Sequence, residues 1–139
     1  MSQAAEDAIA RMIDSLIDWL RQTVSAGADL VADSRALKPG DVFVALPGLS
    51  VDGRDFIDQA IAAGAAAVVY EAGVETPAPS VPHREVYGLA GFAGRLAAAW
   101  YGDPSGRLRV VAVTGTNGKT SCTQWIARGL AESGRKAAV

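Results

Sequence analysis

The chain has 139 residues, half of them apolar, and a net charge of −2 from 13 basic and 15 acidic side chains. That is ordinary globular composition, large enough for one real core, and it describes a soluble protein. It offers no concentrated positive surface for nucleic acid or an anionic membrane.

The N-terminus is acidic early and its apolar residues are interrupted by charge. It therefore lacks the basic start and unbroken apolar run of a secretory signal, and no stretch is long enough to span a bilayer. Ile9, Ile13, Leu16, Ile17 and Leu20 fall on one face at helical spacing, which predicts an amphipathic helix over 5–24. DVFVAL at 41–46, after Pro39-Gly40, reads as a buried strand, and 55–63 as a short helix ended by Gly64. AAAVVY at 65–70 is a second buried strand. GVETPAPSVP at 73–82 carries three prolines and reads as a surface connection. Leu89, Phe92, Ala93, Leu96 and Trp100 mark a further helix, closed by the turn GDPSG at 102–106. RLRVVAV at 107–113 reads as a strand, and 119–133 as a helix ending at Gly134.

Strands alternating with helices predict an α/β fold. Lys136–Val139 looks like the start of another strand, and one βα unit cannot cover its own apolar faces. The expectation is a small α/β domain over 1–107, followed over 108–139 by the opening βα unit of a parallel-sheet domain whose remainder is missing.

Cys122 is the sole cysteine and His83 the sole histidine, which excludes an internal disulfide and a Cys/His zinc cluster and fits a reducing cytoplasm. Cys122 reads as a small apolar residue facing the sheet, Trp125 with Ile126 and Leu130 as core, and His83 as a residue of a solvated loop. Asp52-Gly53-Arg54 reads as a turn with Asp52 near a helix start.

The chemistry concentrates in VVAVTGTNGKTS, 110–121. A helix N-terminus has unpaired N–H groups and about half a positive charge, so it attracts phosphate. Gly115 and Gly118 let the backbone curl around an anion, Lys119 adds a point charge, and the Thr120 hydroxyl can reach a Mg²⁺ held by phosphate oxygens. The full P-loop spacing fails, because the position five before Gly118 is Val113. A plain strand-to-helix turn would explain both glycines but gives no reason for Lys119 beside them.

GTNGKTS at 115–121 resembles the ATP-binding loop of the Mur ligases, which add amino acids to the UDP-N-acetylmuramoyl precursor of peptidoglycan. Residues 32–71, with DSR at 33–35, PGDVFVA at 39–45 and DGRDFI at 52–57, resemble that family's N-terminal uridine-binding domain. DGR and TNGKT bring the chain nearest to the branch that adds the third residue of the stem peptide (the MurE type). The resemblance implies an ATP- and Mg²⁺-dependent amide ligase acting on UDP-N-acetylmuramoyl-L-alanyl-D-glutamate and a diamino acid, meso-diaminopimelate or lysine, with the former favoured. It also implies that the carboxylate is activated as an acyl phosphate, which the amine then attacks. By position, Ala32 and Ser34 match uracil-nucleotide contacts, and Leu49, Ser50 and Val51 a loop against the UDP moiety. Gly115, Thr116, Asn117, Gly118, Lys119, Thr120 and Ser121 match the ATP loop, with Lys119 on phosphate and Thr120 on the metal. Leu49-Ser50-Val51 departs from members with His-Gln-Ala there, which favours backbone contacts. Ser34 has a local alternative, a turn bond ahead of Arg35. The competing functions are a non-catalytic UDP-sugar or nucleotide-binding module, and another enzyme using the same loop: a P-loop kinase, a folylpolyglutamate-synthase relative or a MurF-type ligase.

Overall fold

The computed structural model describes residues 2–139 and divides into two compact units, one ending at Pro104 and the other spanning Ser105–Val139. The first unit is an α/β layer structure. Helix α1 (Gln3–Thr23) precedes strands β1 (Leu30–Val31) and β2 (Val42–Ala45). A 3-10 turn (Gly53–Phe56) then runs into α2 (Ile57–Ala62), followed by β3 (Ala67–Glu71), β4 (His83–Val86) and α3 (Leu89–Tyr101). The four strands form one sheet in the order β1-β2-β3-β4, all parallel, with Val42 opposite Ala67 and Val68 opposite His83.

Alternation along the strands divides the core between the two faces. Val42, Val44, Ala67 and Val69 face Ile13, Leu16, Ile17 and Leu20 of α1 and Leu89, Phe92 and Leu96 of α3. Phe43, Ala45, Val68 and Tyr70 pack with Ile57 and Ala60 of α2 and with Leu37. Both faces are covered, and β2 is therefore buried at every position, as a central parallel strand requires.

Polar groups fix the connections. The buried Asp41 carboxylate accepts from Asp29 N (3.0 Å) and Lys38 N (2.9 Å), tying the residue before β2 to the residue before β1 and to the turn between the two strands. Trp100 Nε1 donates to Ala28 O (3.0 Å), and the Tyr101 hydroxyl donates to Asp29 Oδ1 (3.1 Å) while accepting from Leu30 N (3.0 Å). Gly64, just past the C-cap Ala63 of α2, has φ +99° and passes so close to Pro39 that an added Cβ would lie 3.0 Å from its Cα. The predicted helix stop at Gly64 is thus observed.

β1 and β4 lie outside the predicted strands. β1 has two residues, and β4 is the charged edge sequence HREV, with Arg84 and Glu85 exposed. His83, expected in a solvated loop, begins this strand half-buried, and its Nδ1 is 3.0 Å from Val81 O.

In the second unit, α4 (Lys119–Glu132) forms as predicted, with Gly134 at φ +78° just beyond it. The predicted strand over 107–113 does not form: Arg107 closes a 3-10 turn from Ser105, and 108–113 take no strand structure. Residues 136–139 likewise form no strand. A strand needs a neighbour for its ladder bonds, and Ser105–Val139 supplies none. No residue of this unit is buried. Cys122 is exposed rather than turned to a sheet, and Trp125, expected in a core, is 72 % exposed. Among the described residues no helix is long and apolar enough to cross a membrane.

Candidate functional site

In an open parallel sheet, ligands gather beyond the carboxyl ends of the strands. That edge of the first unit is built from residues 32–35 after β1, 46–52 after β2, Glu71 at the end of β3, and Gly88 after β4. The residues matched to the uridine nucleotide, Ala32, Ser34, Leu49, Ser50 and Val51, therefore follow two adjacent strands of the same edge.

After β1 the chain turns through Asp33, whose Oδ1 accepts from Arg35 N (3.0 Å) and Nε (2.9 Å) and whose Oδ2 accepts from Arg35 Nη2 (2.8 Å). These bonds hold the Asp33 carboxyl well down, at a pKa of about 2. The local turn bond thus comes from Asp33, and Ser34 does something else. Its buried hydroxyl donates to Gln59 Oε1 on α2 (3.1 Å), a tertiary contact that ties the turn to the helix on the sheet's second face. Ala32 is exposed beside it.

After β2 the chain forms a narrow loop. Gly53 N donates to Leu46 O (2.9 Å), and Gly48 N to Val51 O (3.0 Å). The tip presents Leu49, fully exposed, with Ser50 and the half-exposed Val51. Asp52 begins the following 3-10 turn and accepts from Arg54 N (3.0 Å), the predicted helix-start role.

Arg54 had no assigned role in the sequence. Its guanidinium lies against the Asp52 carboxylate through Nε (3.0 and 3.1 Å) and Nη2, and its Nη1 donates to Glu71 O (3.1 Å). The Glu71 carboxylate accepts from Gly88 N (2.7 Å) and Ala90 N (2.9 Å), which caps α3 with a negative charge at its positive end. Hydrogen bonding to Arg54 lowers the Asp52 pKa and raises that of Arg54. The available signal was the repeat of Asp-x-Arg at 33–35 and 52–54.

In the second unit, Gly115 (φ +139°) and Gly118 (φ +77°) take backbone conformations suited to glycine, and Gly118 opens α4. The first intrahelical bond there is Cys122 N to Gly118 O (2.9 Å), which leaves the N–H groups of Lys119, Thr120 and Ser121 without helical partners. Lys119 folds back over the turn. Its ammonium donates to Gly115 O and to Thr116 O (3.3 Å), so charge and amides share one short stretch that includes Thr116 and Asn117. That donor set suits a polyphosphate. Thr120 contributes a single exposed hydroxyl, and the described residues hold no group of three acidic, His or Cys side chains that could bind a metal ion.

A four-stranded parallel sheet with helices on both faces, joined in sequence to a lysine-bearing glycine turn that opens a helix, defines an α/β protein. The family model for the Mur ligase family, catalytic domain, matches residues 29–101, more than half of the chain. The chain belongs to the Mur ligase family. It is 52 % identical over 139 residues to the UDP-N-acetylmuramoyl-L-alanyl-D-glutamate--2,6-diaminopimelate ligase of Ralstonia nicotianae, covering 94 % of this chain and 27 % of that protein. It is 40 % identical over 137 residues to the ligase of the same name from Coxiella burnetii, covering 93 % and 27 %. Among solved structures, the MurF ligase of Thermotoga maritima in complex with ADP aligns at a TM-score of 0.57 and 31 % identity, over 77 % of this chain and 24 % of that one. A UDP-N-acetylmuramoyl-L-alanyl-D-glutamate--2,6-diaminopimelate ligase structure aligns at 0.55 and 26 %, over 76 % and 22 %. The chain thus spans about a quarter of the length of the curated relatives it matches.

Proposed function

We propose that this chain is the nucleotide-sugar-binding and phosphate-loop portion of an ATP-dependent ligase that joins a diamino acid to UDP-N-acetylmuramoyl-L-alanyl-D-glutamate in peptidoglycan precursor synthesis. The observation that carries the reading is the 40–52 % identity, over at least nine-tenths of the chain, to ligases bearing that name from three organisms. Their names also favour diaminopimelate over lysine as the incoming residue.

In this reading Ala32, Ser34 and the Leu49–Val51 tip receive the uridine nucleotide at the sheet edge. Ser34 contributes from a hydroxyl already oriented by Gln59, and the tip contributes mainly backbone groups. The turn Gly115–Ser121 receives the ATP phosphates on the N–H groups opening α4, and Lys119 swings from the Gly115 and Thr116 carbonyls to phosphate oxygens. Thr120 is the hydroxyl available to Mg²⁺; with no acidic cluster among the described residues, the remaining ligands come from phosphates, water or other segments. ATP supplies the phosphoryl group that activates the D-glutamyl carboxylate toward the amine. Lys119 neutralises developing charge on the transferring group, and preorganised backbone donors hold it in place. A cytoplasmic location is part of this reading, since ATP and the nucleotide sugar are its substrates.

The test is a graft. The segment of the Ralstonia ligase aligned with this chain is replaced by the 139 residues, and ADP release is measured with UDP-N-acetylmuramoyl-L-alanyl-D-glutamate and diaminopimelate. Release that needs both substrates supports the reading. A folded graft that binds neither the nucleotide sugar nor ATP refutes it.

A further inference from the structure

The two Asp-x-Arg pairs at the sheet edge differ in surroundings. Asp33–Arg35 stands in solvent, with side chains 50 % and 82 % exposed. Arg54 is 11 % exposed, and each of its three guanidinium nitrogens donates to one of two acceptors from different elements: the Asp52 carboxylate on the loop after β2 and the Glu71 carbonyl at the end of β3. A guanidinium so engaged, with its charge neutralised by Asp52, is a poor receiver of an external phosphate. It is well placed to hold two pieces of backbone at a fixed separation, because the planar fork dictates geometry as well as distance.

The loop it holds is the one that carries Leu49, Ser50 and Val51. The backbone bonds Gly53 N to Leu46 O and Gly48 N to Val51 O, with the Pro47–Asp52 bridge, also brace that tip. Through the Glu71 carboxylate the same connection continues to the start of α3.

We propose that Arg54 and Asp52 form a positioning pair, which fixes the Leu49–Val51 tip against the end of β3 and thereby sets affinity for the nucleotide end of the UDP-sugar substrate. This rests on the reading that the tip contacts that substrate. The pair does not act in phosphoryl transfer.

The experiment uses Arg54→Gln and Asp52→Asn, singly and together. In the 139-residue chain, amide shifts on titration with UDP-N-acetylmuramoyl-L-alanyl-D-glutamate give the Kd, and ¹⁵N relaxation reports order at residues 48–51. The grafted ligase gives kcat and both KM values. Each single variant should raise Kd and the nucleotide-sugar KM about tenfold, the scale of re-ordering a few loop side chains on binding. The variants should also lower order at 48–51 alone, and leave kcat and the ATP KM within about twofold. The double variant should be no worse than the poorer single, since one interaction is removed in all three. If Arg54→Gln does not fold, Asp52→Asn carries the test, because it keeps the guanidinium and its bond to Glu71. Folded variants that bind as tightly as the native chain overturn the proposal, as does a fall in kcat at unchanged KM. A native chain whose residues 48–51 do not respond to saturating substrate overturns the substrate reading itself, a pattern distinct from either.

Discussion

Gly53 is the position where the loop after β2 is least able to accept a side chain. A Cβ built there would lie 2.6 Å from Leu46 O and 2.7 Å from Leu46 N, about 0.8 Å short of the 3.4 Å at which ordinary contact begins. Both opposing atoms are backbone of the segment leaving the buried strand β2, so neither can rotate away. Gly53→Ala must part the two backbones and weaken the Gly53 N to Leu46 O bond of 2.9 Å. Overpacking of this kind costs roughly 1–3 kcal/mol and the bond about 1 kcal/mol more, giving a loss of about 2–4 kcal/mol. For a unit of this size that lowers the unfolding midpoint by on the order of 10 °C. Gly94, exposed within α3 with nothing within 4 Å of its added Cβ, is the control. Gly94→Ala should stabilise by about 0.5–1 kcal/mol through helix propensity. Urea titrations followed on the amides of Val42–Ala45 and Ala67–Glu71 report this unit alone. The steric argument fails if Gly53→Ala unfolds at the native midpoint, or if the Gly94 control loses as much.

Amides of α4 should exchange within about tenfold of unstructured rates, because a 14-residue helix with no buried side chain is marginal by itself, while Val42, Val44, Val68 and Val69 reach the protection of global unfolding. Equal protection in the two units would mean that the second is self-sufficient or covered by association. Because the folded-state pKa of Asp52 lies below its ordinary 3.8, the stability advantage of the native chain over Asp52→Asn should be complete above about pH 4 and shrink as pH falls through the lower folded value. An advantage that persists undiminished to pH 2 would refute the ion-pair assignment. In the grafted ligase, Lys119→Ala should slow ADP release by on the order of 10²–10³, the effect of deleting one preorganised charge-stabilising group, with the nucleotide-sugar KM unchanged. Full activity in that variant would remove Lys119 from the phosphate site.

The elements that were legible in the sequence are those whose pattern and surroundings agree. α1 and α3 carry amphipathic faces that meet the sheet, and β2 and β3 are apolar runs with a layer on each side. β1 and β4 were not legible, because a two-residue strand has no period and HREV carries the charges of an edge. RLRVVAV fails in the opposite sense. Its apolar run describes a buried strand, yet Leu108, Val110 and Val111 are 68 %, 70 % and 58 % exposed, because β structure needs a partner that Ser105–Val139 does not provide. Cys122 and Trp125 follow for the same reason: their expected burial belonged to a sheet that this stretch does not form.

The candidate site divides along the same line between local and non-local information. Gly115 and Gly118 announce their positive φ angles, and Asp52 announces a helix start, because each effect is settled within a few residues. The two Asp-x-Arg triplets show where this stops. In both, the Asp Oδ1 accepts from the Arg backbone N–H at 3.0 Å, so the local turn is the same and either triplet predicts it. They separate in what lies 17 residues away from the second arginine: Glu71 ends a strand beside the loop and offers Arg54 a carbonyl, whereas Arg35 pairs with Asp33 in solvent. An exposed pair of that kind contributes little to the fold, while a half-buried one with a third partner fixes where a loop stands. The difference between a turn and a positioning device therefore arises from strand order, which brings β2 and β3 side by side and places Glu71 at the foot of the loop that Arg54 holds.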